Sequence, residues 1–286
     1  MPQPVFPSCQ IGDFEVTALS DGNMAASLDL LNGIETAEAT DIQHRAGITE
    51  PGNIHIHGYL IRGHGHIVLI DAGTGGLNSA GGQLRENLSA VGLQPEEVDT
   101  VLLTHGHPDH LGGLLNADGL PVFKHASLYI HPLEADYWRD DAMMAQIAEP
   151  RKKNFVLARR TLAAYEERLH YLHHDEAIAG ITPVWLPGHT PGHTGFRIDG
   201  AQKRLLIWGD IVHFPHIQSA QPDVSIAFDC CPAQAAKTRK RIMAQVSDER
   251  WLIAGMHFGK PGFAHLHATE KGYQLEYVEE KSVEIL

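Results

Sequence analysis

Three imidazoles and a carboxylate crowd into one short segment, His105-Gly-His107-Pro-Asp109-His110. The segment directly follows an apolar run, Val101-Leu102-Leu103-Thr104, that reads as a buried strand. Imidazole and carboxylate together suit zinc and similar first-row metals. Side chains alternate along extended backbone, so His105 and His107 share one side while Asp109 and His110 face elsewhere. One turn can therefore serve two metals. A metal held by neutral nitrogens and a carboxylate, with one position open, makes hydroxide from water near neutral pH. The expectation is a metallohydrolase.

Four donors in one turn cannot complete two metal sites, so the others must come from other strand ends. Three segments qualify. Leu186-Pro-Gly-His189-Thr-Pro-Gly-His193-Thr-Gly follows a strand and carries two histidines among Gly and Pro. Trp208-Gly-Asp210 ends another apolar run with a carboxylate, and Ala254-Gly-Met-His257-Phe-Gly ends a third with a histidine. Each places a donor just past an apolar stretch and beside glycine, where backbone can approach an open cleft closely.

The elements that must position these donors follow from periodicity. Alternation predicts strands at Phe14 to Ser20, stopping at Asp21-Gly22, at His57 to Arg62, and at Ile67 to Ile70. Gly63-His-Gly-His reads as the hairpin turn between the last two. Residues 27 to 48 are mixed and read as short helices or a flap. A helix over Ala80 to Val91, ended by Gly92, precedes the donor strand Val98 to Thr104. Leu128 to His131 reads as another strand. Residues 133 to 175, rich in Ala, Arg, Glu and Leu, form the longest helical stretch and could cap a cleft. Further strands are predicted at Ile181 to Leu186, Thr194 to Ile198, Arg204 to Trp208, Trp251 to Ala254 and Tyr273 to Val278. Pro232 to Val246 reads as a helix with proline at its start. Local strand pairing followed by strand–helix alternation, twice over, suggests two sheets between helices in one α/β domain spanning 1–286.

Composition narrows the partners. The chain has 286 residues, 43% hydrophobic, and a formal net charge of −13. No basic stripe exists to neutralise phosphates, which argues against nucleic acid. The one basic cluster, Lys237-Thr-Arg239-Lys240-Arg241, is expected to be a solvated helix face. Cys9, Cys230 and Cys231 are an odd count in no metal-binding spacing, and read as small buried or half-buried thiols. The N-terminus lacks a secretory pattern and no apolar run reaches membrane-span length, so a soluble cytoplasmic protein is expected.

The four donor motifs, in this order and at strand ends, make the chain resemble the metallo-β-lactamase superfamily. Asp71-Ala-Gly after the Ile67 to Ile70 strand resembles the family's early Asp-x-Gly element. Within the superfamily, four further stretches look like the methyl parathion hydrolase branch. They are Ile11-Gly-Asp-Phe-Glu-Val-Thr-Ala-Leu-Ser-Asp-Gly, Leu69-Ile-Asp-Ala-Gly-Thr-Gly-Gly, Gly209-Asp-Ile-Val-His213 and Gly255-Met-His257-Phe. Where that branch has an apolar Pro-Phe-Pro-like run, this chain has Gly259-Lys260-Pro261-Gly262-Phe263, a departure expected to alter the substrate pocket.

The resemblance implies a four-layer αββα sandwich with the site at one edge of the sheets. It implies two divalent metal ions, zinc first among them. One would take His105, His107 and His189, and the other Asp109, His110 and His257, with Asp210 bridging. His189 is preferred to His193 because it follows the strand directly and falls on the family's Gly-His-Thr position. His193 is left as either a hydrogen-bonding turn residue or a donor that orients a ligand. A hydroxide shared by the metals would attack a carbonyl or phosphoryl centre, with Asp109 and Asp210 as the catalytic carboxylates. The implied substrates are small esters: organophosphate triesters, carboxylic esters or lactones. An acyl-homoserine lactonase or a β-lactamase would use the same donors. Iron-dependent persulfide oxygenation, known in related mononuclear members, is the redox alternative. A binding or signalling protein with an idle metal site is the non-enzymatic one. Members of the branch are commonly dimeric, so a homodimer is a further expectation.

The serine-hydrolase signature Gly-x-Ser-x-Gly is absent. Asp71 reads as structural, holding its turn. Gly73-Thr-Gly-Gly76 lacks the ending of a phosphate loop and reads as a flexible turn. His55, His57, His64 and His66 read as surface residues, and His173-His174 as a pair at a helix end. His213, His265 and His267 lie near donor motifs and could bond a substrate. Tyr137, Trp138, Phe155 and Phe258 are expected mainly in the core.

Overall fold

A computed structural model describes residues 6–173 and 178–278. Its strands are β1 (Ser8–Ile11), β2 (Phe14–Ala25), β3 (Leu31–Asn32), β4 (Asn53–Gly63), β5 (His66–Ile70), β6 (Thr100–Leu102), β7 (Ser127–Ile130) and β8 (Leu169–Tyr171). Then come β9 (Thr182–Trp185), β10 (Thr194–Asp199), β11 (Arg204–Ile207), β12 (Ser225–Ile226), β13 (Leu252–Ala254), β14 (Phe263–Ala268) and β15 (Tyr273–Tyr277). The helices are α1 (Thr36–Arg45), α2 (Leu84–Ala90), α3 (Pro108–Leu111), α4 (Pro132–Arg139), α5 (Asp141–Gln146), α6 (Glu149–Ala164), α7 (Pro215–Ala220) and α8 (Pro232–Asp248).

One sheet runs β1-β2-β4-β5-β6-β7-β8 and the other β15-β14-β13-β11-β10-β9, while β3 and β12 form a small separate pair. In the first sheet the pairing turns from antiparallel to parallel at β5 and β6. In the second, β11 and β13 are the parallel pair.

Period-two burial builds the layers. Leu60 and Leu69 enter a core shared with Leu84 and Leu88 of α2, Trp138 of α4 and Phe155 and Leu162 of α6. Their neighbours Tyr59, Ile61, Val68 and Ile70 point the other way. There they meet Phe196, Ile198, Leu205, Ile207, Leu252 and Phe263 from the second sheet. Leu206, Ile253 and Ala264 turn outward again, onto Ile242, Met243 and Val246 of α8. Three stacked cores thus separate four layers, helices, sheet, sheet, helices, as expected.

Several expectations need correction. β2 continues to Ala25 through a bulge between Ser20 and Gly22. The bulge buries Asp21, whose carboxylate accepts from Thr74 N at 2.9 Å, Thr74 Oγ1 at 2.9 Å and Leu84 N at 2.9 Å. Three buried bonds to a charged group outweigh the turn propensity of Asp-Gly. The helical stretch over 133–175 begins at Pro132, is split in three, and ends at Ala164. Leu169–Tyr171 instead adds β8 in parallel beside β7, and His174 and Asp175 lie outside the described residues. β14 escapes the periodicity because histidines interrupt its apolar positions. Arg239 is not solvated: it is 1% exposed and donates to the carbonyls of Ile211, Pro222 and Val224. Among the three cysteines, Cys9 is buried, and Cys230 and Cys231 are exposed and free.

Candidate metal centre

The donors converge where the two sheets meet. Leu103-Thr104 follows β6, and the chain then turns through His105 and His107 into the short helix α3, which carries Asp109 and His110. Proline at the first position of α3 fixes the turn. From the second sheet come His189 in the loop after β9, Asp210 just past β11, and His257 just past β13.

Two groups of four donors result. His105, His107, His189 and Asp210 form the first, and Asp109, His110, Asp210 and His257 the second, with the donor atoms of each group within 4.8 Å of one another. In the first, His107 Nδ1 lies 2.9 Å from His105 Nε2 and 3.0 Å from His189 Nε2. In the second, His110 Nε2 lies 3.4 Å from Asp109 Oδ2, and His257 Nε2 lies 3.6 Å from the same oxygen. Asp210 Oδ2 belongs to both. It is 3.7 Å from His105, 3.5 Å from His189, 3.2 Å from His110 and 3.2 Å from His257.

The outer nitrogens of these imidazoles are held by the fold. His110 Nδ1 meets Asp71 Oδ2 at 2.6 Å, and Asp71 also accepts from Thr104 N and Thr104 Oγ1. Asp71 therefore does more than hold its turn: it orients His110. His189 Nδ1 meets Asp229 Oδ1 at 2.9 Å, and His257 Nδ1 meets the His55 carbonyl at 2.8 Å. A histidine whose far nitrogen is so engaged aims its near nitrogen inward, the usual support of a metal-bound imidazole.

Electrostatics agree with a cation site. Burial and the neighbouring imidazoles hold His105 and His107 well below the usual imidazole range, so both are neutral donors. Burial alone would raise the Asp210 carboxyl, but His110, His257, His213 and His105 outweigh it and hold it well below the usual range. Asp210 Oδ1 and His110 Nε2 are buried without a hydrogen-bond partner, a cost seldom left uncompensated. Three converging imidazole nitrogens cannot all be satisfied by one another's protons. The donor set, all nitrogen and oxygen, fits a divalent first-row ion at each group.

His193 joins neither group. It is fully buried, its Nδ1 meets the Leu186 carbonyl at 2.8 Å, and its Nε2 accepts from Asp210 N at 2.9 Å. It therefore locks the Asp210 backbone. His213 does reach the site, with Nε2 3.2 Å from Asp210 Oδ2. His265 bonds the Trp251 carbonyl and His267 pairs with Glu276, so both are engaged elsewhere. His64 and His66 are exposed, whereas His57 is 3% exposed and not a surface residue. His173 is exposed just after β8. Asp229 and Glu134, which both brace donor loops, carry no local sequence signal.

A cavity of about 420 Å³ opens over the donors. His107, Asp109, Asp210 and His213 line its floor, and Leu77, Tyr137, Trp138, Met143, Ile147 and Phe155 line its walls. Trp138 and Phe155 belong to the core and the wall at once, while Phe258 packs in the core against Trp208. The Gly259 to Phe263 stretch is not part of the wall. It is tied to Tyr277 and Tyr59 instead, through Gly259 N and the Gly262 carbonyl.

The family profile described as "Metallo-beta-lactamase superfamily" matches residues 52–257. The chain belongs to the metallo-β-lactamase superfamily. Among solved structures, the hydrolase AbOPH of the β-lactamase superfamily superposes with a TM-score of 0.90 at 30% identity, covering 97% of this chain and 98% of that one. AidC, a dizinc quorum-quenching lactonase, shares the fold at a TM-score of 0.88 and 22% identity, over 98% of this chain and 99% of its own. The probable metallo-hydrolase YflN of Bacillus subtilis (strain 168) is 32% identical over 159 residues, 51% of this chain. The chain thereby spans 55% of that relative's length. Among the described residues no helix is long and apolar enough to cross a membrane.

Proposed function

We propose that this member of the superfamily is a dinuclear metallohydrolase of small neutral esters: carboxylic esters, lactones or phosphotriesters. In this reading His105, His107 and His189 hold one cation, Asp109, His110 and His257 hold the other, and Asp210 holds both. The observation that carries it is Asp210 Oδ2, within 3.2 to 3.7 Å of imidazole nitrogens from both groups. A complete second donor set supports hydrolysis over mononuclear redox chemistry.

When bound, two divalent cations acidify water near neutral pH and polarise the electrophilic oxygen of the substrate. The protein's own residues do the rest. Asp71, Asp229 and the His55 carbonyl fix the imidazole planes, so that little reorganisation accompanies reaction. Asp109 and Asp210 both line the cavity, where a bound ester would meet them. Met143, Ile147 and Phe155 take the apolar arm of the ester and exclude solvent around it.

The organophosphate preference of a methyl parathion hydrolase-like enzyme, zinc as the resident metal, one domain over the whole chain and a homodimer all belong to this proposal. So does a cytoplasmic protein that binds neither nucleic acid nor membrane. The test is a kinetic panel of paraoxon-type triesters, aryl esters, acyl-homoserine lactones and β-lactams on metal-quantified protein. Turnover of at least one class that vanishes with a chelator and returns with zinc is expected. Two bound metals with no turnover anywhere in the panel would favour a binding protein.

A further inference from the structure

Glu134 is a fully buried carboxylate in the first turn of α4, and it touches both loops that supply the imidazoles of the first donor group. Its Oε1 accepts from Gly106 N at 2.9 Å and from Trp138 Nε1 at 2.7 Å. Its Oε2 accepts from Thr190 Oγ1 at 2.6 Å and from Gly192 N at 3.0 Å. Gly106 stands between His105 and His107, and Thr190 directly follows His189.

The packing leaves no slack. A Cβ on Gly106 would come within 2.2 Å of Trp138 Nε1, and one on Gly192 within 2.3 Å of Glu134 N. Two backbone N–H groups and an indole N–H are obligate donors, so both carboxylate oxygens must accept. A glutamine would aim its own N–H groups at donors on one side. The second donor group has separate braces: Asp71 on His110 and the His55 carbonyl on His257.

We propose that Glu134 is a positioning residue for the first donor group alone, setting the distance between the His105–His107 turn and the His189 loop. The proposal rests on the reading that this group holds a cation. It makes Glu134 act on one of two neighbouring sites, which a general contribution to stability would not do.

The test is titration of the metal-free full chain with Co²⁺, followed by absorption and EPR. The two sites are distinguishable because one offers three imidazoles and the other two, and His107→Ala supplies the spectrum of the second site alone. Glu134→Gln is expected to weaken the three-imidazole site about 10- to 100-fold and to leave the other within about threefold. Leu162→Ala, which opens a void in the same core, controls for lost stability and is expected to keep both sites. If Glu134→Gln fails to fold, Thr190→Val removes one donor of the four, and a selective loss at the same site is expected. Wild-type affinity at both sites in a folded Glu134→Gln, or equal weakening of the two, would overturn the proposal while leaving the dinuclear reading intact. A wild-type chain that binds no Co²⁺ would overturn both.

Discussion

Asp229 Oδ1 lies 2.9 Å from His189 Nδ1, joining residues forty positions apart. Asp229 is itself held by the Ile226 amide at 3.2 Å, and the Arg239 guanidinium stands 3.7 Å from its second oxygen. The carboxylate selects the His189 tautomer that leaves Nε2 bare. Asp229→Asn keeps the shape but removes that bias. Metal affinity at the first donor group should fall about 10- to 100-fold, read by competition with a chromophoric chelator. Unchanged affinity would mean that His189 is oriented by its loop alone.

Asp210→Ala removes an oxygen common to both groups. The activity is expected to fall by about three orders of magnitude or more, and the bound metal to drop below two per chain by elemental analysis. A fully active variant with two metals would refute the shared role.

His189→Ala and His193→Ala should part company. The first loses metal. The second leaves the Asp210 amide and the Leu186 carbonyl unpaired in the interior, at about 1–3 kcal/mol per group. Its melting temperature should therefore drop while its metal count stays closer to two. The reverse pattern would exchange their assignments.

The apolar wall predicts a dependence on substrate size. Each added CH₂ that reaches Met143, Ile147 or Phe155 should raise kcat/KM up to about fourfold, the equivalent of about 0.8 kcal/mol. Ile147→Asp should flatten that series by raising KM with little change in kcat. A series already flat in the wild type would show that the substrate lies elsewhere in the cavity.

Alkaline stability should report on Tyr165. Burial pushes its phenol up to about 12, above the value near 10 of an unfolded chain. The folded state therefore holds the proton more tightly. Its contribution is complete below about pH 10 and is lost as pH rises toward 12. Urea midpoints measured from pH 9 to 11 should decline less steeply in Tyr165→Phe than in the wild type.

The donors were legible in the sequence because each stands immediately after an apolar run, a local pattern. Their braces were not. Asp71 stood out in Asp71-Ala-Gly but only as the holder of its turn, while Glu134 and Asp229 are ordinary carboxylates in ordinary surroundings whose partners on the donor loops lie 28 to 58 positions away. Arg239 was misread for the same reason: its carbonyl acceptors come from segments packed against α8. β8 was hidden in a stretch of helix-forming composition, since only the exposed edge of β7 gives it reason to extend. Tertiary hydrogen bonding overrode propensity at each of these places.

Each donor group takes two members from the loop of the first sheet and two from the second. Neither half of the chain can hold a cation in this way by itself. During synthesis the His105 to His110 turn emerges long before His257, and until the second sheet closes over it each donor group has only two of its four members. Metal acquisition in the proposed reading would therefore be a late event in the life of the chain. A bound cation would act as a latch between two halves that must already have met.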